Sequence, residues 1–231
     1  MAISFIQSKT QGNGAAATSI AATWNSNTQD GNFIVVAISS GSGASNNVTS
    51  ITDSQNNVYT RAVQYYNSGT KPTVDIWYAN SIKGGTTPTV TATTVSKNLA
   101  MVISEFSGVC YLVETTATTD NSGSPHSSGT TAVNSKAEVL VVAAFAEDNS
   151  GSTVTDDPDF ADAITIAYAG AGTGSRMIYQ YRITSSVEAQ NCTITTAVSS
   201  LSHAAIVIFR ARDSIQFSKI RPNLYAPGIA R

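Results

Sequence analysis

Charge is scarce in this chain. Lys, Arg, Asp and Glu make up 12% of its 231 residues, against a usual share of roughly 25%. The formal net charge is −2 and no basic stripe is present, so the electrostatic footprint of a nucleic-acid-binding protein is missing. Long apolar runs are missing too. The longest, residues 33–38 and 139–146, are too short to span a bilayer, and no membrane partner is expected. Met1-Ala2-Ile3-Ser4-Phe5 has no charged region leading into an apolar stretch, the mark of a secretory signal. First folding in a cytosol is therefore expected. The only cysteines are Cys110 and Cys192. One disulfide is arithmetically possible, but a cytosolic origin favours two reduced thiols.

What fills the gap is Ser, Thr, Asn and Gly around a 42% hydrophobic content. Disordered chains have few β-branched residues and high net charge, the reverse of this one. The patterning is β-type. Phe33-Ile34-Val35-Val36-Ala37-Ile38 is continuous and apolar, as in a strand buried on both faces. Val74, Ile76 and Tyr78 alternate with Asp75 and Trp77, while Thr89-Val90-Thr91-Ala92 and Thr193-Ile194-Thr195 are Thr-rich strands. Asp30-Gly31, Asn56-Asn57, Gly84-Gly85, Gly123-Ser124-Pro125, Asp157-Pro158 and residues 170–174 punctuate these runs as turns. Strands are predicted near 33–38, 73–79, 99–106, 138–146, 175–183 and 203–210. Residues 15–22, the best candidate for a helix, read as a loop entering a strand.

The order of elements repeats. Ile34-Val35-Val36-Ala37 recurs as Leu140-Val141-Val142-Ala143, and Ile51-Thr52-Asp53 as Val154-Thr155-Asp156. Ile76 and Tyr78 match Tyr179 and Tyr181. Thr89-Val90-Thr91 matches Thr193-Ile194-Thr195. Met101-Val102-Ile103 with Phe106 matches Ile206-Val207-Ile208 with Phe209, and Phe5-Ile6 matches Leu112-Val113. Pseudo-repeats over 1–108 and 109–212 follow. They form either two sandwiches of immunoglobulin-module size or one interleaved sandwich of two Greek keys. Phe106-Ser107-Gly108-Val109-Cys110-Tyr111-Leu112 shows no linker, which favours interleaving. The expected fold is all-β, a jelly-roll-like sandwich over 1–212 with an extended C-terminal arm over 213–231.

Catalysis needs positioned titratable groups. His126 lies in a Ser/Gly-rich loop and His203 precedes a strand, neither with an acid or nucleophile motif. There is no Gly-x-Ser-x-Gly elbow, no zinc spacing, and no helix after the glycines of 170–174 to make a phosphate loop. Asp156, Asp157, Asp159 and Asp162 crowd one loop without the EF-hand pattern and read as turn acids. Asp53-Ser54-Gln55-Asn56-Asn57 reads as a turn whose side chains bond local backbone. Tyr65, Tyr66, Trp77 and Tyr78 could line a sugar-binding face, although strand aromatics are more often core or cross-strand pairs. No catalytic residue, metal site or cofactor is expected.

Residues 213–231 stand apart. Lys219, Arg221 and Arg231 oppose only Asp213, and Ile215, Phe217, Ile220, Leu224, Tyr225 and Ile229 are spread through an irregular stretch. Pro222 and Pro227 favour extended backbone. Such a peptide cannot bury these groups alone and must pack on a neighbouring subunit, as an assembly arm, or back on its own domain over an exposed sheet edge. Ile215, Phe217, Lys219, Ile220, Arg221, Leu224, Tyr225 and Arg231 are the predicted partner-binding residues.

Val48-Thr49-Ser50-Ile51-Thr52-Asp53-Ser54-Gln55-Asn56-Asn57-Val58-Tyr59-Thr60, continued by Ile76-Trp77-Tyr78-Ala79-Asn80 and Glu105-Phe106-Ser107-Gly108-Val109, resembles a recurrent β-sandwich domain of tailed-phage and bacterial surface proteins. The likeness covers much of the first half; the second departs from it. Arg221-Pro222-Asn223-Leu224-Tyr225-Ala226-Pro227-Gly228-Ile229-Ala230-Arg231 is similar to the C-terminal ends of phage virion proteins. The resemblance implies a non-enzymatic virion protein made in the host cytoplasm. The leading expectation is a capsid decoration (cement) protein that oligomerises and binds the major capsid protein or its own copies. A tail or fibre subunit, or a carbohydrate-binding receptor module, is the alternative.

Overall fold

The structure, a computed structural model, describes residues 2–41, 47–67, 71–135, 138–148, 152–166 and 175–212. The predicted arm, 213–231, therefore lies outside the described residues. The described residues are all β, with no α-helix.

The first half holds β1 (Ser4–Gly12), β2 (Ala17–Thr23), β3 (Phe33–Ser40), β4 (Val48–Asp53), β5 (Tyr59–Tyr65), β6 (Thr73–Ala79), β7 (Thr89–Lys97) and β8 (Leu99–Ser107). The second holds β9 (Val109–Ser122), β10 (His126–Ser127), β11 (Val139–Glu147), β12 (Val154–Thr155), β13 (Ala161–Ile166), β14 (Arg176–Thr184), β15 (Thr193–Thr196) and β16 (Leu201–Ala211). The antiparallel sheets of the first half run β1-β8-β3-β6-β5 and β2-β7-β4. Those of the second run β9-β16-β11-β14-β13 and β10-β15-β12. Shifting every strand number by eight converts one pair into the other. The order is that of a jelly roll in which the fifth strand has crossed to the larger sheet.

Interleaving is the expectation that fails. Every sheet draws its strands from one half, and β8 passes to β9 through Gly108 alone. Gly108 has φ +74°, and a Cβ there would meet the Ala2 carbonyl oxygen at 2.1 Å, so only glycine fits this crossing. The unbroken hydrophobicity around it has a different cause: the halves pack directly on each other.

Three apolar clusters define four layers. Ile34, Val36, Ile38, Met101 and Ile103 face Ile20, Ala22, Val90 and Ala92 of the first three-stranded sheet. Val139, Val141, Phe145, Ile206 and Ile208 face Cys192 and Ile194 of the second. Between the two five-stranded sheets lie Phe33, Val35, Val74, Ile76, Val102 and Phe106 against Leu140, Val142, Met177, Tyr179, Val207 and Phe209. The middle strands are therefore covered on both faces, which is why they read as uninterrupted apolar runs. The outer strands are covered on one face only and alternate. In β7, Val90, Ala92 and Thr94 point inward, whereas Thr93 and Val95 are exposed.

The pleat also corrects one repeat match. Val154 and Thr155 pair with Thr196 and Thr195, as Ile51 and Thr52 pair with Ala92 and Thr91, so that alignment holds. Ile34, however, faces its own small sheet, whereas Leu140 faces the middle layer. The strings Ile34-Val35-Val36-Ala37 and Leu140-Val141-Val142-Ala143 are thus one residue out of phase, a slip that reverses every side chain.

Candidate functional site

The aromatics proposed as a sugar platform do not form one. Trp77 lies in the outer layer of the first half, with the Arg61 guanidinium over its ring at 4.5 Å. Tyr78 points the other way, stacked on Phe33 and edge-on to Phe209. Tyr65 packs edge-on against His203. Only Tyr66 is exposed. Consecutive strand residues alternate faces, so Trp77 and Tyr78 could never share a surface.

The densest polar cluster lies at one end of the second half. Glu147, the last residue of β11, pairs with Arg176, the first of β14. The Arg176 guanidinium binds the Glu147 carboxylate, and both side chains are buried. Arg176 also donates to the Ser152 carbonyl. His126 enters from β10, fully enclosed, with Nδ1 against Ser202 Oγ. Its Nε2 lies 3.2 Å from Ser200 Oγ, and Ser200 donates to Glu147 Oε1. The hydroxyl protons form a directed chain. Ser202 donates to Nδ1, Nε2–H donates to Ser200, and Ser200 donates to the carboxylate. With its one proton given to Glu147, Ser200 is left to accept from Nε2–H, the tautomer this network selects. Burial, then the Arg176 charge, pushes the His126 pKa down; burial pushes Glu147 up.

His203 is placed where the halves meet. Its Nδ1–H donates to the Pro72 carbonyl at 2.9 Å, and the Asn67 N–H donates to Nε2 at 3.2 Å. Both ring nitrogens are satisfied by the neutral form. Lys71 binds the Asp120 carboxylate beside it, and that ion-paired bond holds the Asp120 pKa down. This cluster ties the β5–β6 connection of the first half to β9 and β16 of the second.

Two acids organise turns. Asp53 Oδ1 accepts from the backbone N–H of Gln55 at 3.0 Å and of Asn57 at 2.9 Å. Its Oδ2 accepts from Asn57 Nδ2 at 2.8 Å and Tyr59 OH at 2.9 Å. Asn56 takes a positive φ of 59°, as Asn tolerates. Asp157 accepts from the N–H of Asp159 at 3.0 Å and of Thr193 at 2.8 Å. The turn reading holds for Asp53 and Asp157, whereas Asp162, expected in the same loop, lies within β13. No cluster of three metal-ligating side chains occurs among the described residues.

Sequence reasoning missed the interior of the His126 cluster. His126 was read as a loop residue, and neither Glu147 nor Arg176 was singled out. Cys192 is free and buried, its Sγ 3.3 Å from Gln180 Oε1. The eight predicted partner-binding residues, Ile215 to Arg231, lie outside the described residues. No protein-family model, curated protein or solved structure matches the chain.

Proposed function

We propose that this chain is a non-enzymatic structural protein of a tailed-phage particle, a decoration (cement) protein that binds the head and stabilises it. The observation that carries the reading is the use made of the titratable groups. The histidines and the buried Glu147–Arg176 pair are engaged as ties within or between layers, so the fold spends them on holding a four-layer block together. Threonines such as Thr18, Thr49, Thr93 and Thr195 are exposed on the outer sheets, giving a neutral surface suited to close packing beside other subunits. The motif from Val48 to Thr60 and the likeness of the C-terminal end to virion proteins point to a particle. Residues 213–231 are the assembly arm in this reading, with the capsid protein or neighbouring copies as partner.

Electron microscopy of the particles whose genome encodes the chain, with an antibody against it, tests the proposal. Label distributed over the head is expected. Label confined to tail or fibres overturns the decoration reading in favour of a tail subunit, and unlabelled particles overturn the virion assignment. A chain ending at Arg212 should remain folded, since every strand of the described residues ends by Ala211, and should no longer bind particles. Undiminished binding would remove the arm from assembly.

A further inference from the structure

The two histidines are held by different kinds of partner. Around His126 the nearest partners are the hydroxyls of Ser202 and Ser200, which rotate and can either donate or accept. His203 is held by backbone. The Pro72 carbonyl can only accept and the Asn67 N–H can only donate, so Nδ1 carries the proton and Nε2 is bare. Neither partner can change its role. A second proton on Nε2 sets two N–H groups against each other and breaks the bond to Asn67.

The surroundings of the ring bear on that proton. His203 is buried in β16, where its register partners are Asp120 of β9 and Ala146 of β11. From the first half, Tyr65 at the end of β5 packs edge-on against the ring at 5.0 Å. Lys71, just before β6, reaches the Asp120 carboxylate and donates to the Asn121 carbonyl at 2.9 Å. Asp120 Oδ2 also accepts from Asn67 Nδ2 at 3.0 Å. An imidazolium at 203 therefore meets one acid and one base that are already paired with each other. Glu147, Arg176 and His126 lie behind, against Ser200 and Ser202 on the opposite face of β16. Burial pushes the His203 pKa below the ordinary 6.5, against the pull of the Pro72 carbonyl and Asp120, and Lys71 adds to the fall. The neutral ring is thus the resting form, and what it contributes is full above pH 6.5 and lost as pH falls through the folded value.

We infer that the bond between His203 and Asn67 is an acid-released tie between the two halves: protonation of Nε2 frees the end of β5 from β16, while Nδ1–H keeps its bond to Pro72. The contact opens on the Asn67 side alone. β5 is the outermost strand of its sheet, hydrogen-bonded to β6 only, so its end can part from the second half without disturbing a central strand. The inference concerns the chain itself and does not rest on the particle reading.

Amide hydrogen exchange of the full chain, followed by NMR from pH 8 to pH 4 and expressed relative to the intrinsic rate at each pH, tests the tie. Protection of the Asn67 N–H should fall about tenfold for each pH unit below the folded pKa of His203, while Val207, in the middle of β16, keeps its protection. The imidazole nitrogen signals of the same samples should show Nδ1 protonated and Nε2 bare at pH 8, and should titrate with the midpoint of the Asn67 change. In His203→Gln, whose side chain does not titrate, Asn67 protection should stay level across the range. The shared midpoint is read in the parent protein, so it decides the matter even where the variant is unstable. Asn67 protection that is level in the parent, that falls equally in His203→Gln, or that falls at a different midpoint from the imidazole would overturn the inference. So would a ring protonated on Nε2 at pH 8, or a loss at Val207 in step with Asn67, which would mark global unfolding.

Discussion

The two halves share a strand order and differ in how the same corner is closed. In the first half, Ser40 at the end of β3 pairs with Thr73 at the start of β6. Their hydroxyls bond each other, and Asn47 Nδ2 donates to Ser40 at 3.0 Å. In the second half, Glu147 and Arg176 hold the corresponding strand ends, with His126, Ser200 and Ser202 around them. One corner is neutral and small; the other encloses an ion pair and an imidazole. The fold therefore does not depend on the chemistry of the plug. It depends on the alternation of apolar positions and on the middle layer, which the halves build jointly.

The largest effect should come from that shared layer. Phe209 packs edge-on to Phe33 at 5.0 Å and to Tyr78 at 5.4 Å, so it belongs to both halves. Phe209→Ala should cost about 3–5 kcal/mol. Calorimetry should show one cooperative transition before and after the change, displaced to lower temperature. Two separate transitions, with only the second half shifted, would show that the halves are independent.

The corner itself gives the next test. Arg176→Met strands the Glu147 carboxylate in the interior and should cost about 3–5 kcal/mol. Adding Glu147→Leu removes the stranded charge, and the double variant should recover much of the loss, because a well-packed apolar pair replaces a buried ion pair at little cost. Urea denaturation of the two variants and the parent decides this. A double variant no better than Arg176→Met would mean that the ion pair is needed for packing, unlike the neutral corner of the first half.

These residues also mark the limit of what the sequence discloses. The six predicted strands are all present, with ends displaced by two residues or fewer, because strands covered on both faces leave long apolar runs. The duplication was legible for the same reason. Its phase was not. In β3 and β11 both faces are apolar, so the letters hold no record of which face a residue takes, and the one-residue slip at Ile34 and Leu140 followed. The corner was invisible because its parts come from distant segments. His126 is 76 residues from Ser202 and Glu147 is 29 from Arg176, and no local spacing announces them. Direct packing of the halves mimicked interleaving at Gly108 for a similar reason: hydrophobicity reports burial without saying against what.

Acid and base should separate the halves. Asp75, buried in β6, has its pKa raised to about 6 by burial, against the pull of Gln64, Arg61 and Trp77. A value raised from the ordinary 3.8 means that its contribution is full below that pH and lost as pH rises through 6. Between pH 4 and pH 7 that loss is on the order of 1–3 kcal/mol, and Asp75→Asn should abolish it. His126 has the opposite sign. Its pKa lies below the ordinary 6.5, so its contribution is full above 6.5 and lost as pH falls through the folded value. Glu147, raised by burial, shares the sign of Asp75 and partly masks the histidine, so the comparison is parent against His126→Gln. Urea midpoints from pH 4 to pH 8 should show Asp75→Asn flattening the rise in pH and His126→Gln flattening the fall. Identical profiles for the parent and both variants would mean that neither group's pKa differs between the folded and unfolded chain.

The smallest effect should come from the paired turns. Asp53, the last residue of β4, and Asp157, two residues after β12, stand at related places but do different amounts of work. Asp53 accepts four hydrogen bonds, two from backbone N–H groups and two from the side chains of Asn57 and Tyr59. It is largely buried, and its nearness, after burial itself, pushes the Tyr59 phenol pKa upward. Asp157 accepts two, from the N–H groups of Asp159 and Thr193, and one of its bonds is within its own exposed turn. Removing a carboxylate costs most where the donors left behind cannot reach water, about 1–3 kcal/mol for each buried donor stranded. Asp53→Ala should therefore lower stability by about 2–3 kcal/mol and Asp157→Ala by about 1 kcal/mol. Hydrogen exchange distinguishes them at single residues. Asp53→Ala should speed exchange at Gln55 and Asn57, and Asp157→Ala at Thr193, where the lost bond joins the turn to β15. Equal losses in the two variants would mean that the bond to Thr193, and not the number of bonds, sets what such an acid contributes.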